Sequence, residues 1–199
     1  MGATAARQAR VSNPVFARIF PRLSQAMEAG GMATRRNGLL AGLTGQVTDI
    51  GVGTGAQLRH YPAMVTRVVA IEPEPRLRQI AMAAARSTPV PVEVANGLAS
   101  ALPADDASFD AAVVTLVLCT VPDQDAALRE IRRVLKPGGQ LYFLEYVRAD
   151  SARLARAQRA LDVTLWPHLF GGCHLGRDTA AAIKRAGFQH RAAGPFPVP

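Results

Sequence analysis

Three groups of residues in this 199-residue chain have the types and spacing to do chemistry. The first is Asp49-Ile50-Gly51-Val52-Gly53-Thr54-Gly55, three glycines at alternate positions behind an apolar run that begins at Val47. Glycine is needed where a backbone takes dihedrals closed to other residues or lets a ligand approach, and a helix start behind such a turn offers unpaired N–H groups to an anion. The second is Glu72, 21 positions after Gly51 and at the end of the apolar run Val68-Val69-Ala70-Ile71, where a carboxylate can accept from ribose hydroxyls. These two describe a nucleoside-bearing ligand on a strand, tight turn and helix. The third group lies downstream: Cys119, just after an apolar stretch, and His168 and His174 in an apolar and aromatic segment.

Positioning these groups requires an alternating chain. From residue 46 the pattern alternates strand and helix, the mark of a parallel sheet covered on both faces. Strands are predicted at 46–51, 67–72, 90–95, 110–117 and 140–147, with a sixth at 188–193; helices fall near 55–61, 75–86, 123–135 and 177–186. Asp123 is a candidate cap, and Lys136-Pro137-Gly138-Gly139 a helix stop followed by a turn. Ahead of the sheet, Asn13-Pro14 opens an amphipathic helix with a break expected at Pro21 and an end at Gly30-Gly31; a second helix covers 32–43. These helices cover either a ligand pocket or only the sheet edge. The insertion 151–172 begins as an Arg-studded helix and, lying beyond a strand's carboxyl end, is placed to form a substrate lid.

Composition sets bounds. With 49% hydrophobic residues the chain makes one well-filled domain, here 13–199, behind a basic N-terminus, 1–12, expected to be disordered. The formal net charge is +8, but 21 of the 23 basic residues are arginine, so a solvated basic surface is the simpler reading against attraction to lipid or nucleic acid. Cys119 and Cys173 are too few for a disulfide framework and lack metal-ligand spacing, so no metal is expected and a reducing cytoplasm is the default. The longest apolar run, 111–121, is about half the roughly 20 residues a membrane-spanning helix requires, and no transmembrane segment is expected.

The glycine turn lacks the dinucleotide G-x-G-x-x-G spacing, and no Lys-Ser or Lys-Thr follows as a phosphate-binding loop demands. Asp49 to Gly55 instead resembles the first motif, E/D-x-G-x-G-x-G, of class I S-adenosylmethionine (SAM)-dependent methyltransferases. Glu72 is similar to that family's ribose-binding acid; Leu102-Pro103 with Asp106, Ser108, Phe109 and Asp110 resembles its L-P…D-x-S-F-D run, and Leu135-Lys136-Pro137-Gly138-Gly139 its L-K-P-G-G turn. The resemblance implies a Rossmann-like α/β fold, mostly parallel, with N-terminal helices and a helical lid at about 151–175. It implies SAM as cofactor and S-adenosylhomocysteine as product, held by Asp49, Gly51, Gly53, Thr54, Gly55, Glu72, Pro73, Gly97, Leu98, Ala99, Thr115 and Leu116. Leu98 stands where the family often carries an adenine-binding Asp, so adenine is left to backbone N–H groups and packing around 97–99.

A narrower similarity, carried by residues 115–121, Leu161-Asp162 with Trp166, and residues 172–177, is to the methyltransferase-like alkyl-thiol S-methyltransferases and their bacterial relatives, of the methyltransferase type 11 domain. Their animal members bear an N-terminal membrane segment not seen in this sequence, and their last edge strand is expected to be truncated or replaced here. The resemblance implies a small-molecule acceptor, a thiol first, in a pocket shaped by Cys119, Asp162, Trp166 and Arg177, with His174 and His168 as candidate bases. Each has a plainer reading: Cys119 as an apolar pocket liner, the histidines and Trp166 as packing, Arg177 as a surface charge, and Arg35 and Arg36 as a solvated helix face. A lipid-like or quinone acceptor is the alternative; a catalytically silent SAM-binding subunit or nucleic-acid binder is the alternative of another class. A homodimer is compatible with the sequence.

Overall fold

The computed structural model describes residues 13–146, 148–149, 151–164 and 166–188, the side chains of residues 168 and 169 excepted. Among the described residues a five-stranded parallel sheet runs β3-β2-β1-β4-β5, with β1 Gly45–Ile50, β2 Val65–Ile71, β3 Val92–Ala95, β4 Phe109–Thr115 and β5 Leu135–Leu144. Side chains alternate across a strand, so each central strand feeds two cores. On one face Val47, Val68, Ala70, Ala111 and Val113 pack with Leu40 of α2 (Ala33–Leu40) and Ala81 of α3 (Pro75–Ala85). On the other, Ile50, Val69, Ile71, Ala112 and Val114 meet Leu128 and Ile131 of α4 (Gln124–Val134) and Ile183.

The five strands expected between residues 46 and 147, their parallel pairing and the α3 and α4 spans agree with the periodicity. Asp123 caps α4 as expected, accepting from Ala126 N–H at 2.9 Å. Four expectations need correction. The helix expected at 55–61 is only a tight turn, Leu58–His60: Gln57 and Tyr61 are turned back toward β1, and Pro62 stops further coiling. Pro21 does not break α1, which runs from Pro14 to Met27, capped by the Asn13 side chain on Phe16 N–H (3.0 Å). The Lys-Pro-Gly-Gly segment lies inside β5, as a shift of register between the Phe109–Leu135 and Ala111–Gln140 pairs, with Gly138 at φ 80°. Arg36 is buried, not solvated. Of the sixth strand, residues 189–193 lie outside the described residues, as does the N-terminus 1–12.

A five-residue link, Glu28–Met32, with Gly31 at φ 101°, joins α1 to α2. The insertion carries α5 (Ala152–Asp162) and the short α6 (Trp166–Leu169), and α7 (Thr179–Arg185) returns to the sheet under the Asp178 cap. Among the described residues no helix is long and apolar enough to cross a membrane.

Candidate active site

In an open parallel sheet the crevice lies outside the strands' carboxyl ends, where the order reverses; here that is between β1 and β4. The glycine turn leaves β1 at this point. Gly51 and Val52 donate their N–H groups to Ile71 O at 2.7 and 3.1 Å, which fixes the turn against the end of β2. Gly53 then donates to Glu72 Oε2 at 2.8 Å, and Glu74 N–H to Glu72 Oε1 at 2.9 Å. Glu72 is buried, and burial raises its pKa while the two N–H groups oppose the rise. A carboxylate has about four lone-pair directions, so two remain for hydroxyls of a ligand.

The turn is also closed from above by α1. A side chain at Gly53 (φ 60°) would meet Phe20 Cε1 at 3.0 Å, and Ser24 Oγ lies 3.1 Å from Thr54 Oγ1. Phe20 packs on Phe16, 4.8 Å between centroids, and Phe16 in turn lies against Gly171 of the insertion. The N-terminal helix therefore bridges the glycine turn and the insertion, covering the pocket end of the sheet rather than an outer edge.

Beneath the turn is a buried polar chain that sequence reading missed. Asp49, fully buried, accepts from Gln57 Nε2 and from Tyr61 OH (3.0 Å). Gln57 Oε1 accepts from Arg36 Nη1 at 2.6 Å, and Arg36 Nε donates to Glu28 Oε1 at 2.9 Å. Burial pushes Asp49 up to about 6 despite these donors. The signal available was spacing: Gln57 and Tyr61 stand 8 and 12 residues after Asp49, within reach only if the intervening chain doubles back.

At the end of β4, the Thr115 hydroxyl is buried without a partner and Leu116 is held at φ 58°, a left-handed conformation costly for a leucine. Its N–H bonds Leu144 O at 2.8 Å. Glu145, at the end of β5, gathers the next three N–H groups, Val117 (2.7 Å), Leu118 (2.8 Å) and Cys119 (3.2 Å). Its pKa is pushed up to about 7 by removal from water, opposed by those donors. Glu145 was also missed, although it ends its strand as Glu72 ends β2.

The insertion brings the remaining candidates to this loop. His174 N–H donates to Cys119 O at 2.9 Å, and Arg177 Nη1 donates to Leu118 O (3.1 Å) and Val121 O. Asp162 accepts from Leu175 and Gly176 N–H at 2.6 and 2.9 Å. Arg177 and Asp162 are thus engaged with backbone in the chain itself, not turned to an acceptor. Trp166 stacks on Phe170 at 3.9 Å, and its buried Nε1 has no hydrogen-bond partner. The His168 side chain lies outside the described residues. Arg35 lies near enough to Tyr146 for its charge to oppose the burial-driven rise in that phenol's pKa. Gly97 has no room for a side chain beneath Pro103 Cδ (2.7 Å) and Ile71, and Leu98 is buried beside it. Among the described residues no cluster of three or more His, Cys, Asp or Glu could hold a metal.

A buried acceptor on the second strand, a glycine turn tied to it and an orphaned hydroxyl at the end of β4 fit a nucleoside bearing a polar tail. Comparison with known proteins gives that ligand a name. Residues 48–143 match the family described as methyltransferase domain. The chain is 37% identical over 154 residues to the human thiol S-methyltransferase TMT1A, an alignment covering 74% of this chain and 62% of the relative. To the Rattus norvegicus thiol S-methyltransferase TMT1B it is 37% identical over 156 residues, 75% of this chain and 63% of the relative. The chain thus spans just under two thirds of the length of these relatives. A SAM-dependent methyltransferase from Thermotoga maritima superposes with a TM-score of 0.61 at 26% identity, covering 87% of this chain and 81% of that one.

Proposed function

We propose, from the match of residues 48–143 to the methyltransferase-domain family and from the geometry of the site, that this chain is a SAM-dependent methyltransferase whose acceptor is a small thiol. The observation that carries the cofactor half is the Glu72 carboxylate, buried, oriented by Gly53 and Glu74 N–H, and left with lone pairs for two ribose hydroxyls. The thiol half is supported by the curated relatives, both named thiol S-methyltransferases.

When bound, SAM supplies an electrophilic methyl group on a sulfonium, which leaves as a neutral thioether. The chain's own part is to bind, orient and dry the site. Glu72 fixes the ribose and the glycine turn fixes the methionyl end, with Asp49 holding that turn in shape through Gln57 and Tyr61. Glu145 positions residues 117–119 and, through them, the floor on which the acceptor sulfur rests. Phe16 and Phe20 close the top against water. A free thiol near pKa 8.5 already supplies a few per cent thiolate at neutral pH, so no dedicated base is required of His174.

The experiment measures SAM binding by calorimetry and S-adenosylhomocysteine release with a series of small alkyl thiols. The wild type is expected to bind SAM and to turn over at least one thiol. Glu72→Gln weakens SAM binding by roughly 10- to 100-fold, the cost of trading a charged acceptor for a neutral one. SAM binding without turnover of any thiol sinks the acceptor assignment; turnover of a quinone or lipid phenol in the same assay replaces it, and no turnover at all leaves a silent SAM-binding subunit.

A further inference from the structure

Two sulfur atoms that the methyl-transfer reading does not use meet at the junction of the loop after β4 and the insertion. Cys119 and Cys173, 54 positions apart in sequence, are both buried free thiols with their Sγ atoms 3.5 Å apart. The backbones that carry them are already fastened together. His174 N–H is bonded to Cys119 O at 2.9 Å, Arg177 spans Leu118 O and Val121 O, and a Cβ at Gly172 would lie 3.2 Å from Thr120 O. A disulfide needs about 2.05 Å between sulfurs, a further approach of roughly 1.5 Å that side-chain rotation on two anchored backbones can supply.

We propose that Cys119 and Cys173 are a redox-active pair that closes to an intramolecular disulfide by exchange with a small dialkyl disulfide. The two sulfurs are not equivalent. Cys173 keeps 6% of its surface open while Cys119 has none, so attack enters at Cys173. The contact with the Cys119 thiol lowers the Cys173 pKa, and the nearby Trp166 indole N–H, although it makes no hydrogen bond of ordinary geometry, lowers it further. The same contact raises Cys119, with burial and the Glu145 carboxylate adding to the rise. The contact makes Cys173 the easier of the two to ionise and Cys119 the harder, the division of labour of an exchanging dithiol.

The steps balance. The Cys173 thiolate attacks one sulfur of RSSR; a Cys173–S–SR bond forms, the S–S bond of the reagent breaks and RS⁻ leaves. That thiolate takes the Cys119 proton, and the Cys119 sulfur attacks the Cys173 sulfur of the mixed disulfide, releasing a second RS⁻, which takes the proton given up when Cys173 ionised. The pair loses two electrons and two protons, and one RSSR becomes two RSH. The closed form staples residues 172–177 to the end of β4, and it stands whether or not the acceptor is a thiol.

The test treats the reduced full chain with 2-hydroxyethyl disulfide, quenches in acid, denatures, alkylates with iodoacetamide and reads intact mass and non-reduced peptide maps. The wild type is expected to lose the mass of two hydrogens, to take no alkyl group on either cysteine, and to yield one peptide cross-linked through residues 119 and 173; dithiothreitol reverses all three. Cys119→Ser is expected to stop at a mixed disulfide on Cys173, and Cys173→Ser to take no adduct. Wild-type protein that ends with both cysteines alkylated, with a persistent mixed disulfide, or as a disulfide-linked dimer overturns the proposal, and that readout needs no variant to fold.

Discussion

The two halves of the candidate site are held by different means. On the cofactor side, a chain of buried charges and amides from Glu28 through Arg36 and Gln57 to Asp49 ties two N-terminal elements to the glycine turn. On the acceptor side, single side chains bond backbone carbonyls and amides: Arg177 ties the end of the insertion to the loop after β4, Asp162 folds the insertion on itself, and Glu145 grips the amides of that loop. A buried ionic chain fails abruptly when one member is removed, because the partner charges stay buried. A loop hung on a few carbonyl bonds yields by increments. The contrast fits a site whose cofactor end is invariant in shape while its acceptor end is adjustable.

The sharpest way to break this contrast is at Arg36. Arg36→Met keeps the bulk but leaves the Gln57 carbonyl without its donor and Glu28, among the described residues, with the exposed Arg59 (3.1 Å) and the largely buried His60 (3.6 Å). We expect about 3 kcal/mol of lost stability in urea unfolding, with SAM binding weakened in parallel because Asp49 loses its orientation. A loss below about 1 kcal/mol would show that the chain is solvated in practice and the two halves are alike.

The next test uses pH, because both halves carry carboxyls with a raised pKa: Asp49, up to about 6, together with Glu72 on the cofactor side, and Glu145, up to about 7, on the acceptor side. All three bind their proton more tightly folded than unfolded. Their contribution is therefore complete below the unfolded values near 4 and is lost as pH rises through 6 for Asp49 and 7 for Glu145. Stability should fall between about pH 4 and 7 with a slope of up to ~1.4 kcal/mol per pH unit for each proton. Asp49→Asn removes its share of the slope between about pH 4 and 6, and Glu145→Gln its share between about pH 4 and 7. Stability that climbs with pH across this window contradicts both assignments.

How far each half could be read from the sequence follows the same division. Alternating hydrophobicity made the sheet, α3 and α4 legible, and the glycine and acid spacing placed the turn after β1 and Glu72 after β2, because these depend on short-range pattern. Pro21 was misread because a proline costs an isolated helix more than it costs one pinned at Phe16, Phe20 and Ser24. Arg36 was misread because burial of an arginine depends on partners, Glu28 and Gln57, that sit 8 and 21 positions away. Glu145 carries no motif of its own, and its meaning comes from three amides on a neighbouring strand's end. The helix that opens the insertion was legible; that Asp162 and Arg177 face inward to backbone was not, since nothing in their spacing distinguishes an inward cap from a ligand contact.

The smallest effect is expected at Arg177, and it asks whether the acceptor half is hung as loosely as its bonds suggest. Its guanidinium spans two carbonyls of the loop that follows β4, while Glu145 grips the amides of the same loop from the other side. Arg177→Met removes the first grip only. The buried Leu118 carbonyl keeps Gln124 Nε2 as a donor at 2.9 Å, and the carbonyl of half-buried Val121 can turn to water, so the cost should be about 1 kcal/mol. The residual Glu145 grip keeps residues 117–119 near the cofactor, so SAM affinity should hold while KM for the acceptor rises severalfold and kcat falls little. If SAM affinity drops as steeply as acceptor KM rises, the loop and the glycine turn move as one body, and the division between a rigid cofactor end and an adjustable acceptor end is wrong.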